Sequence, residues 1–156
     1  MNLVDIRIVY INRLFHASIE KVFDAWLQPK LIRQWLFKKP GTEIIELEVD
    51  PKVEGKFRIT TLSSAGKVVV YFGAFQQFVR PNLLLFTLES PEYFPGVSLV
   101  TVDLQPTKTG CELNFTQTGV EPELVEDGWR QMFENLENFV GEGKRKDELQ
   151  ADMEMS

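Results

Sequence analysis

The sequence predicts an α+β domain in which one antiparallel sheet of about seven strands packs against a single long C-terminal helix. Three observations lead to this prediction. Two short helical segments follow the first strand, many strands joined by short turns fill the middle of the chain, and one long amphipathic segment comes last. Consecutive strands connected by short turns form antiparallel sheets. The amphipathic helix must cover its apolar stripe, and the sheet is the only large surface available.

Residues 3–15 are rich in Ile, Val, Tyr and Phe and predict the first strand, which two short helices follow. Ser18 is a suitable N-cap for the first of these helices. The apolar face of this helix, at helical spacing, consists of Ile19, Val22, Phe23 and Trp26. Pro29 suits the first turn of the second helix, and Pro40-Gly41 marks its exit. We expect that helix to hold Leu31, Ile32 and Trp35.

Six further strands are predicted in the middle of the chain. The clearest one alternates apolar and acidic residues, which indicates a half-buried strand with its carboxylates in solvent. Its apolar members are Ile45, Leu47 and Val49, and its acidic members are Glu46, Glu48 and Asp50. Turn-forming residues such as Gly, Pro, Asn and Ser separate the remaining strands. Those strands are predicted at 57–60, 67–79, 83–89, 97–105 and 111–118.

A long helix that starts near Glu121-Pro122 completes the predicted domain. At about 100° per residue, its apolar residues fall within roughly a 120° arc. These residues are Val125, Trp129, Met132, Phe133, Leu136, Phe139 and Val140. Residues 143–156 show no periodicity and predict a flexible tail, so residues 1–142 are assigned to one domain.

Composition and charge exclude several classes of partner. The chain has 156 residues, 44% of them apolar, and a formal net charge of −6, which suits one globular domain. It has no basic stripe, which argues against nucleic acid and against an anionic membrane, because both are bound by clustered Lys and Arg. There is no leader pattern and no apolar run near about 18 residues, so we expect a cytoplasmic protein.

The chain has one histidine and one cysteine, His16 and Cys111. His16 could act as a general base, but no motif places a nucleophile beside it. Cys111 shares a period-two strand face with Leu113 and Phe115, so we expect it in the core as a small apolar residue. One His and one Cys do not make an ordinary zinc site. We therefore expect no catalytic residue, no metal and no cofactor, and a protein that is not an enzyme.

Six short motifs, in order along residues 6–140, resemble a known family. They are Arg13-x-Phe15-x-Ala17 with Val22-Phe23 and Pro29…Trp35; Asp50-Pro51…Gly55-x-Phe57; Gly73-x-Phe75…Pro81…Phe86-Thr87; Ser98-x-Val100-Thr101-Val102; Gly110-Cys111-Glu112-Leu113; and Gly128-Trp129…Leu136. This set is similar to the helix-grip fold of the START/Bet v 1-like (SRPBCC) superfamily. Within the superfamily it resembles the branch named for the C-terminal domain of the activator of Hsp90 ATPase.

The resemblance implies a sheet curved around the long helix, with a space between them that this superfamily uses for apolar ligands. Three positions depart from the branch. Glu54 stands where the first of two paired glycines is usual, Gln77 where an acidic residue is common, and Leu83 where a basic one is common. A charged pair beside the pocket is therefore missing, and a role that depends on a carboxylate there is not expected.

The residues expected around this space are mostly aromatic. The alternative for each of them is a plain core position. The sequence also does not decide whether the space is an open cavity or is filled by side chains. Tyr71, Gln77 and Thr87 are the polar candidates, and Trp129 at the centre of the helix stripe is expected in the cavity wall. The full predicted set is Trp35, Phe57, Tyr71, Phe72, Gln77, Phe86, Thr87, Phe115, Trp129, Met132, Phe133 and Leu136.

These observations favour a non-enzymatic binding protein that holds a small hydrophobic or aromatic ligand between sheet and helix. Two alternatives follow from the resemblance. One is a co-factor of an Hsp90-type chaperone, or another protein-interaction module. The other is an enzyme of the cyclase or aromatase kind. This alternative is weaker, because the sequence shows no acid, base or nucleophile placed together as a catalytic group.

Overall fold

The computed structural model describes residues 7–141 and has the predicted architecture. The strands are β1 Ile8–Phe15, β2 Thr42–Val49, β3 Lys56–Ser63, β4 Val68–Val79, β5 Leu83–Ser90, β6 Phe94–Pro106 and β7 Cys111–Thr118. The helices are α1 Ile19–Asp24, α2 Pro29–Ile32 and α3 Pro122–Val140. The tail predicted at 143–156, and residues 3–6 of the first predicted strand, lie outside the described residues.

The seven strands form one sheet in the order β1-β7-β6-β5-β4-β3-β2. Every neighbouring pair is antiparallel, and β1 forms one edge of the sheet, where it pairs with β7. Register shifts interrupt the β2–β3, β4–β5 and β5–β6 pairs, and such bulges bend the strands that contain them. The result is the curved sheet and long C-terminal helix of a helix-grip fold, which confirms the predicted fold class.

The two short helices begin where the sequence predicts, but the second one is shorter than expected. The Ser18 hydroxyl accepts a hydrogen bond from the Lys21 N–H at 3.2 Å and caps α1, and Pro29 opens α2. Because α2 ends at Ile32, the prediction that it holds Trp35 is wrong. Trp35 is instead fully buried in the following turn, where its indole N–H donates to the Ala25 carbonyl at 2.9 Å.

The alternation predicted for β2 is wrong at its first residue. Ile45 is 50% exposed, whereas Ile44 packs against the core. The register of β2 against β3 shifts between Ile44 and Glu46, and a shift of one residue exchanges the two faces of a strand. Beyond the shift, Leu47 and Val49 pack against the core as predicted, and Glu46 faces outward and bonds Arg58 at 2.9 Å.

Glu54 stands at one of the positions where the sequence departs from the related branch. Its φ is +68°, in the left-handed region that glycine adopts at little cost and other residues rarely visit. The turn between β2 and β3 therefore has the conformation that a glycine would favour, although this chain has a glutamate there.

Helix α3 lies against the sheet with the predicted stripe facing inward. Its buried residues are Trp129, Met132, Phe133, Leu136 and Val140, and Val125 and Phe139 are partly buried. Two polar contacts connect its outer side to the start of the chain. Arg13 of β1 bonds Glu134 at 2.8 Å, and the His16 ring bonds Glu137 at 2.8 Å.

Candidate functional site

A cavity of about 350 Å³, called the outer cavity below, lies between the N-terminal half of α3 and the inner face of the sheet. The segment that follows α2 supplies one side of its wall, and α3 supplies the largest share. The sheet contributes residues of β4, β5, β6 and β7, together with the turn before β6. The lining residues are Phe37, Lys38, Lys39, Tyr71, Leu88, Tyr93, Phe94, Gln117, Leu124, Val125, Asp127, Gly128, Trp129, Gln131 and Met132.

A chain of buried hydrogen bonds supports the wall of this outer cavity. The Trp129 indole N–H donates to Gln117 Oε1 at 2.8 Å, and Gln117 Nε2 donates to Ser98 Oγ at 3.0 Å. Ser98 Oγ donates in turn to the Leu88 carbonyl at 2.7 Å. All three side chains are at most 3% exposed. Each buried polar group thus has a partner, and the network holds the indole of Trp129 in one orientation.

Phe37 stands at the inner end of the outer cavity in an unusual backbone conformation. Its φ is +55°, and its N–H contacts Met132 Sδ at 3.0 Å. Its ring stacks on Tyr71 with the centroids 3.7 Å apart and the planes 6° apart, and its centroid is 5.8 Å from that of Trp129. A non-glycine residue with positive φ is costly, so these contacts must hold Phe37 in place.

A second, much smaller cavity of about 20 Å³ lies deeper in the core. It shares Phe37, Leu88 and Trp129 with the outer cavity, so these side chains form the partition between the two. A volume of this size is enough for one water molecule. Trp26 also lines the inner cavity, and its buried indole N–H has no hydrogen-bond partner among the described residues.

Polar groups gather at the outer rim of the larger cavity. Lys39 Nζ donates to the Tyr93 hydroxyl at 2.9 Å and lies 4.6 Å from the centre of the Tyr93 ring. Lys67 Nζ lies 5.3 Å from the same ring centre. The hydrogen bond from Lys39 lowers the pKa of Tyr93 because it favours the phenolate. Burial and the neighbouring Tyr93 raise the pKa of Tyr71, which therefore stays a neutral phenol.

The structure brings five of the twelve predicted site residues to the two cavities. They are Tyr71, Trp129 and Met132 in the outer cavity, and Phe57, Phe86 and again Trp129 in the inner one. Four others are completely buried in the core and line neither cavity. These four are Trp35, Phe115, Phe133 and Leu136.

The remaining three predicted residues, Phe72, Gln77 and Thr87, line neither cavity. Phe72 follows the buried Tyr71 on β4, and Thr87 lies between the buried Phe86 and Leu88 on β5. Successive side chains of a strand point to opposite faces, so Phe72 and Thr87 are on the outer face. Gln77 is exposed where the β4–β5 register shifts.

Several residues of the cavity wall were not predicted. Gln117 could have been found, because it continues the period-two series of Cys111, Leu113 and Phe115 toward the core. Phe37, Lys39 and Tyr93 lie in irregular segments or at a strand boundary, where the sequence has no periodic pattern that assigns a face.

His16 and Cys111 lie outside both cavities. His16 contacts Glu137 on the outside of α3, and Cys111 is fully buried where β7 pairs with Phe15. Burial raises the pKa of the Cys111 thiol to about 11, so it stays protonated at neutral pH. Among residues 7–141, no cluster of His, Cys, Asp and Glu could hold a metal ion.

The activator of Hsp90 ATPase homolog 1-like family matches residues 16–141, and the chain belongs to this family. The match confirms the resemblance found in the sequence motifs. It is consistent with the START/Bet v 1-like superfamily to which the helix-grip fold points. No curated protein matches the chain. Within the described part, no helix is long and apolar enough to cross a lipid bilayer.

Solved structures of bacterial proteins share the fold. A protein from Chromobacterium violaceum superposes with a TM-score of 0.79 at 26% identity, over 86% of this chain and 96% of that one. A protein from Mesorhizobium loti gives a TM-score of 0.68 at 28% identity, over 87% and 98% of the two chains. The AHSA1-like protein from Aeromonas hydrophila gives 0.76 at 20% identity, over 88% and 94%, a likeness of fold alone.

Proposed function

We propose that this protein binds a small hydrophobic or aromatic molecule in the outer cavity, between the sheet and α3, and does not transform it. The observation that carries the proposal is the cavity itself. Its volume of about 350 Å³ is within the usual range for small-molecule sites, roughly 300–1,000 Å³. Its walls combine apolar and aromatic side chains with a few polar groups, as such sites do. The superfamily's general use of this space for hydrophobic ligands agrees with the proposal.

Gly128 supports the proposal from the side of the helix. It lies inside α3 and lines the cavity, and a Cβ atom added to it would meet no atom within 4 Å. Glycine in a helix interior costs about 1 kcal/mol relative to alanine. Gly128 is exposed, so a side chain there could stabilise the helix without a clash, and its absence leaves the mouth of the cavity unobstructed.

Aromatic rings in the wall make flat ligands suitable. Trp129 has one fixed orientation through its bond to Gln117, and Phe37 and Tyr71 form a stacked pair beside it. Rings held in this way can stack on a ligand ring without losing side-chain freedom on binding. A planar apolar or aromatic molecule is thus favoured over a branched aliphatic one.

The proposal is tested with N-phenylnaphthylamine, a neutral aromatic probe whose fluorescence rises in apolar surroundings. We expect saturable binding, accompanied by a change in tryptophan emission that Trp129→Phe largely removes. Gly128→Leu should weaken binding markedly, because it adds a large side chain at the exposed mouth of the cavity while the helix gains stability. Arg130→Leu is the matched control, since it adds the same side chain to an exposed position of α3.

Probe binding that is unchanged in both Gly128→Leu and Trp129→Phe would contradict the proposal, because both residues line the cavity. Native mass spectrometry of the purified protein adds a second test. A retained small molecule that is reduced in Gly128→Leu, and kept in Arg130→Leu, would support binding in this cavity and give the mass of the bound molecule.

A protein-interaction module is the second candidate, and the edge strand β1 is the observation that favours it. Its outward residues Ile8, Tyr10 and Leu14 are 45%, 50% and 59% exposed. Exposed apolar residues on one edge strand are typical of interaction surfaces. The activator for which the family is named acts on a chaperone ATPase. Stimulation of an Hsp90 ATPase that is lost in Leu14→Glu and kept in Gly128→Leu would favour this candidate over ligand binding.

A further inference from the structure

The polar groups at the rim of the outer cavity indicate which kind of apolar molecule fits it. We propose, on the basis of the proposed function, that the ligand is an amphipathic acid. Its anionic group lies beside Lys39 and Tyr93 at the rim, and its apolar or aromatic body lies against Trp129. Charge, hydrogen-bonding capacity and the distribution of polar residues around the cavity each support this assignment.

The charge at the rim is positive, although the whole chain carries −6. Lys38 and Lys39 line the cavity, and Lys67 lies over the Tyr93 ring. In the described part of the chain, no carboxylate forms a salt bridge with any of these three lysines. The nearby carboxylates are Asp127, which lines the cavity from α3, and Glu92, which accepts the Val70 N–H. Among the charged residues that line the cavity, two are lysines and one is a carboxylate.

Lys39 and Tyr93 together have hydrogen-bond donors to spare. An ammonium group has three N–H donors, and Lys39 uses one of them on the Tyr93 oxygen. That oxygen accepts from Lys39 and also interacts as an acceptor with the Tyr71 hydroxyl, so the Tyr93 O–H is left to donate to another group. A carboxylate or sulfonate accepts several hydrogen bonds and carries the opposite charge. It is the group that best uses both donors at once.

The charged residues that line the cavity, Lys38, Lys39 and Asp127, are all exposed and lie at its solvent end. Leu88 and Trp129 lie at the inner end, where they separate the outer cavity from the inner one. Lys38, Lys39 and Gln131 also line a neighbouring open groove, whose other walls include Gln34 and Asn135. A ligand with its acid group at this end keeps part of its hydration, which lowers the desolvation cost of binding a charge.

A matched pair of probes tests the inference. Anilinonaphthalene sulfonate differs from N-phenylnaphthylamine by one sulfonate group, and both fluoresce more strongly when bound. We expect the wild-type protein to bind the sulfonate about tenfold more tightly, which corresponds to ~1.4 kcal/mol. Lys39→Met should remove this preference, which is the ratio of the two probe affinities measured in the same variant, because the methionine keeps the apolar bulk and removes the ammonium group.

Two further variants separate a specific contact from general charge and from damage to the fold. Lys108→Met removes a lysine from the exposed turn between β6 and β7 and should leave the sulfonate preference unchanged. Tyr93→Phe keeps the ring under Lys39, removes one donor, and should reduce the preference by part of its value. Circular dichroism of each variant verifies that it is folded, and the preference should decrease with added salt.

The possible results distinguish this inference from the function on which it rests. If the neutral probe binds and the sulfonate shows no preference, the cavity is a ligand site and the inference is overturned. If Lys108→Met lowers the preference as much as Lys39→Met does, the effect is general charge, and the inference again fails. If neither probe binds the wild-type protein, the proposed function fails together with it.

Discussion

The two halves of α3 carry the same apolar stripe but face different surroundings. Phe133 and Leu136 in the C-terminal half are completely buried. The Phe133 centroid lies 5.1 Å from that of Phe115 and 6.1 Å from that of Trp35, so aromatic rings fill the space opposite this half. In the N-terminal half, Val125 and Gly128 line a cavity instead. The C-terminal half, called the closed half below, packs tightly against the core. The N-terminal half, called the open half, leaves room for a ligand.

This difference shows that an apolar helix stripe predicts inward orientation and no more. Whether an inward residue is packed or lines a cavity depends on the side chains across from it. Opposite the closed half, the rings of Trp26, Trp35 and Phe115 pack around Phe133. The open half has a glycine at position 128, and Tyr71, Leu88 and Phe94 of the sheet line the cavity across from it.

Truncation in each half gives the largest expected contrast. Leu136→Ala should lower the free energy of unfolding by about 2–5 kcal/mol, because it leaves a void in a packed region. Val125→Ala, in the open half, should lower it by less than about 1 kcal/mol, since this side chain already borders empty space. Urea denaturation of both variants measures the contrast. Equal losses would show that the open half is packed in solution.

A pair of tryptophan substitutions sharpens the comparison at the boundary between the halves. Trp129→Phe leaves Gln117 Oε1 buried without its donor, whereas Trp26→Phe removes an indole N–H that has no partner. Both changes remove the same volume. Trp129→Phe should therefore lower the free energy of unfolding by about 1–3 kcal/mol more than Trp26→Phe does. Thermal or urea unfolding of both variants measures this difference in the free energy of unfolding. Equal losses would indicate that a water molecule in the cavity replaces the hydrogen bond to Gln117.

Alkaline pH tests how strictly the closed half excludes charge. Burial raises the pKa of Cys111 from 9.0 to about 11. A raised folded-state pKa gives a stability contribution that is complete below the unfolded value and is lost as pH rises toward the folded value. Between about pH 9 and pH 11 the wild-type protein should therefore lose ~2 kcal/mol more stability than Cys111→Ala does. Parallel slopes for the two proteins would show that the thiol ionises freely.

Much of the fold could be predicted because its signals are local. Ser18 and Pro29 mark helix starts through capping and fixed φ, and both positions are confirmed. The strands followed from alternation and turn residues. The errors occurred where local pattern and pairing disagree: Ile45 faces outward because of a register shift against β3, and Trp35 is buried outside any helix.

The candidate site was predicted less completely, for a related reason. Trp129 lines the cavity, and its position on the stripe determines the inward direction of its side chain. Phe133 and Leu136 share that direction and yet lie in the packed core. Phe37 and Tyr93 are in the wall although no periodic segment contains them. The prediction that the cavity residues bind a ligand is still to be tested by experiment.

The sequence by itself determined the class of the fold, the stripe of α3 and the inward direction of its side chains, since hydrophobic periodicity and capping act over a few residues. Only the tertiary structure decided which inward residues leave a cavity, because an unfilled volume is the difference between elements far apart in the chain. The meeting of Lys39 from the segment after α2 with Tyr93 from the turn before β6 has the same origin. Their 54-residue separation is spanned by the sheet, and only its curvature and register bring the two groups within hydrogen-bonding distance.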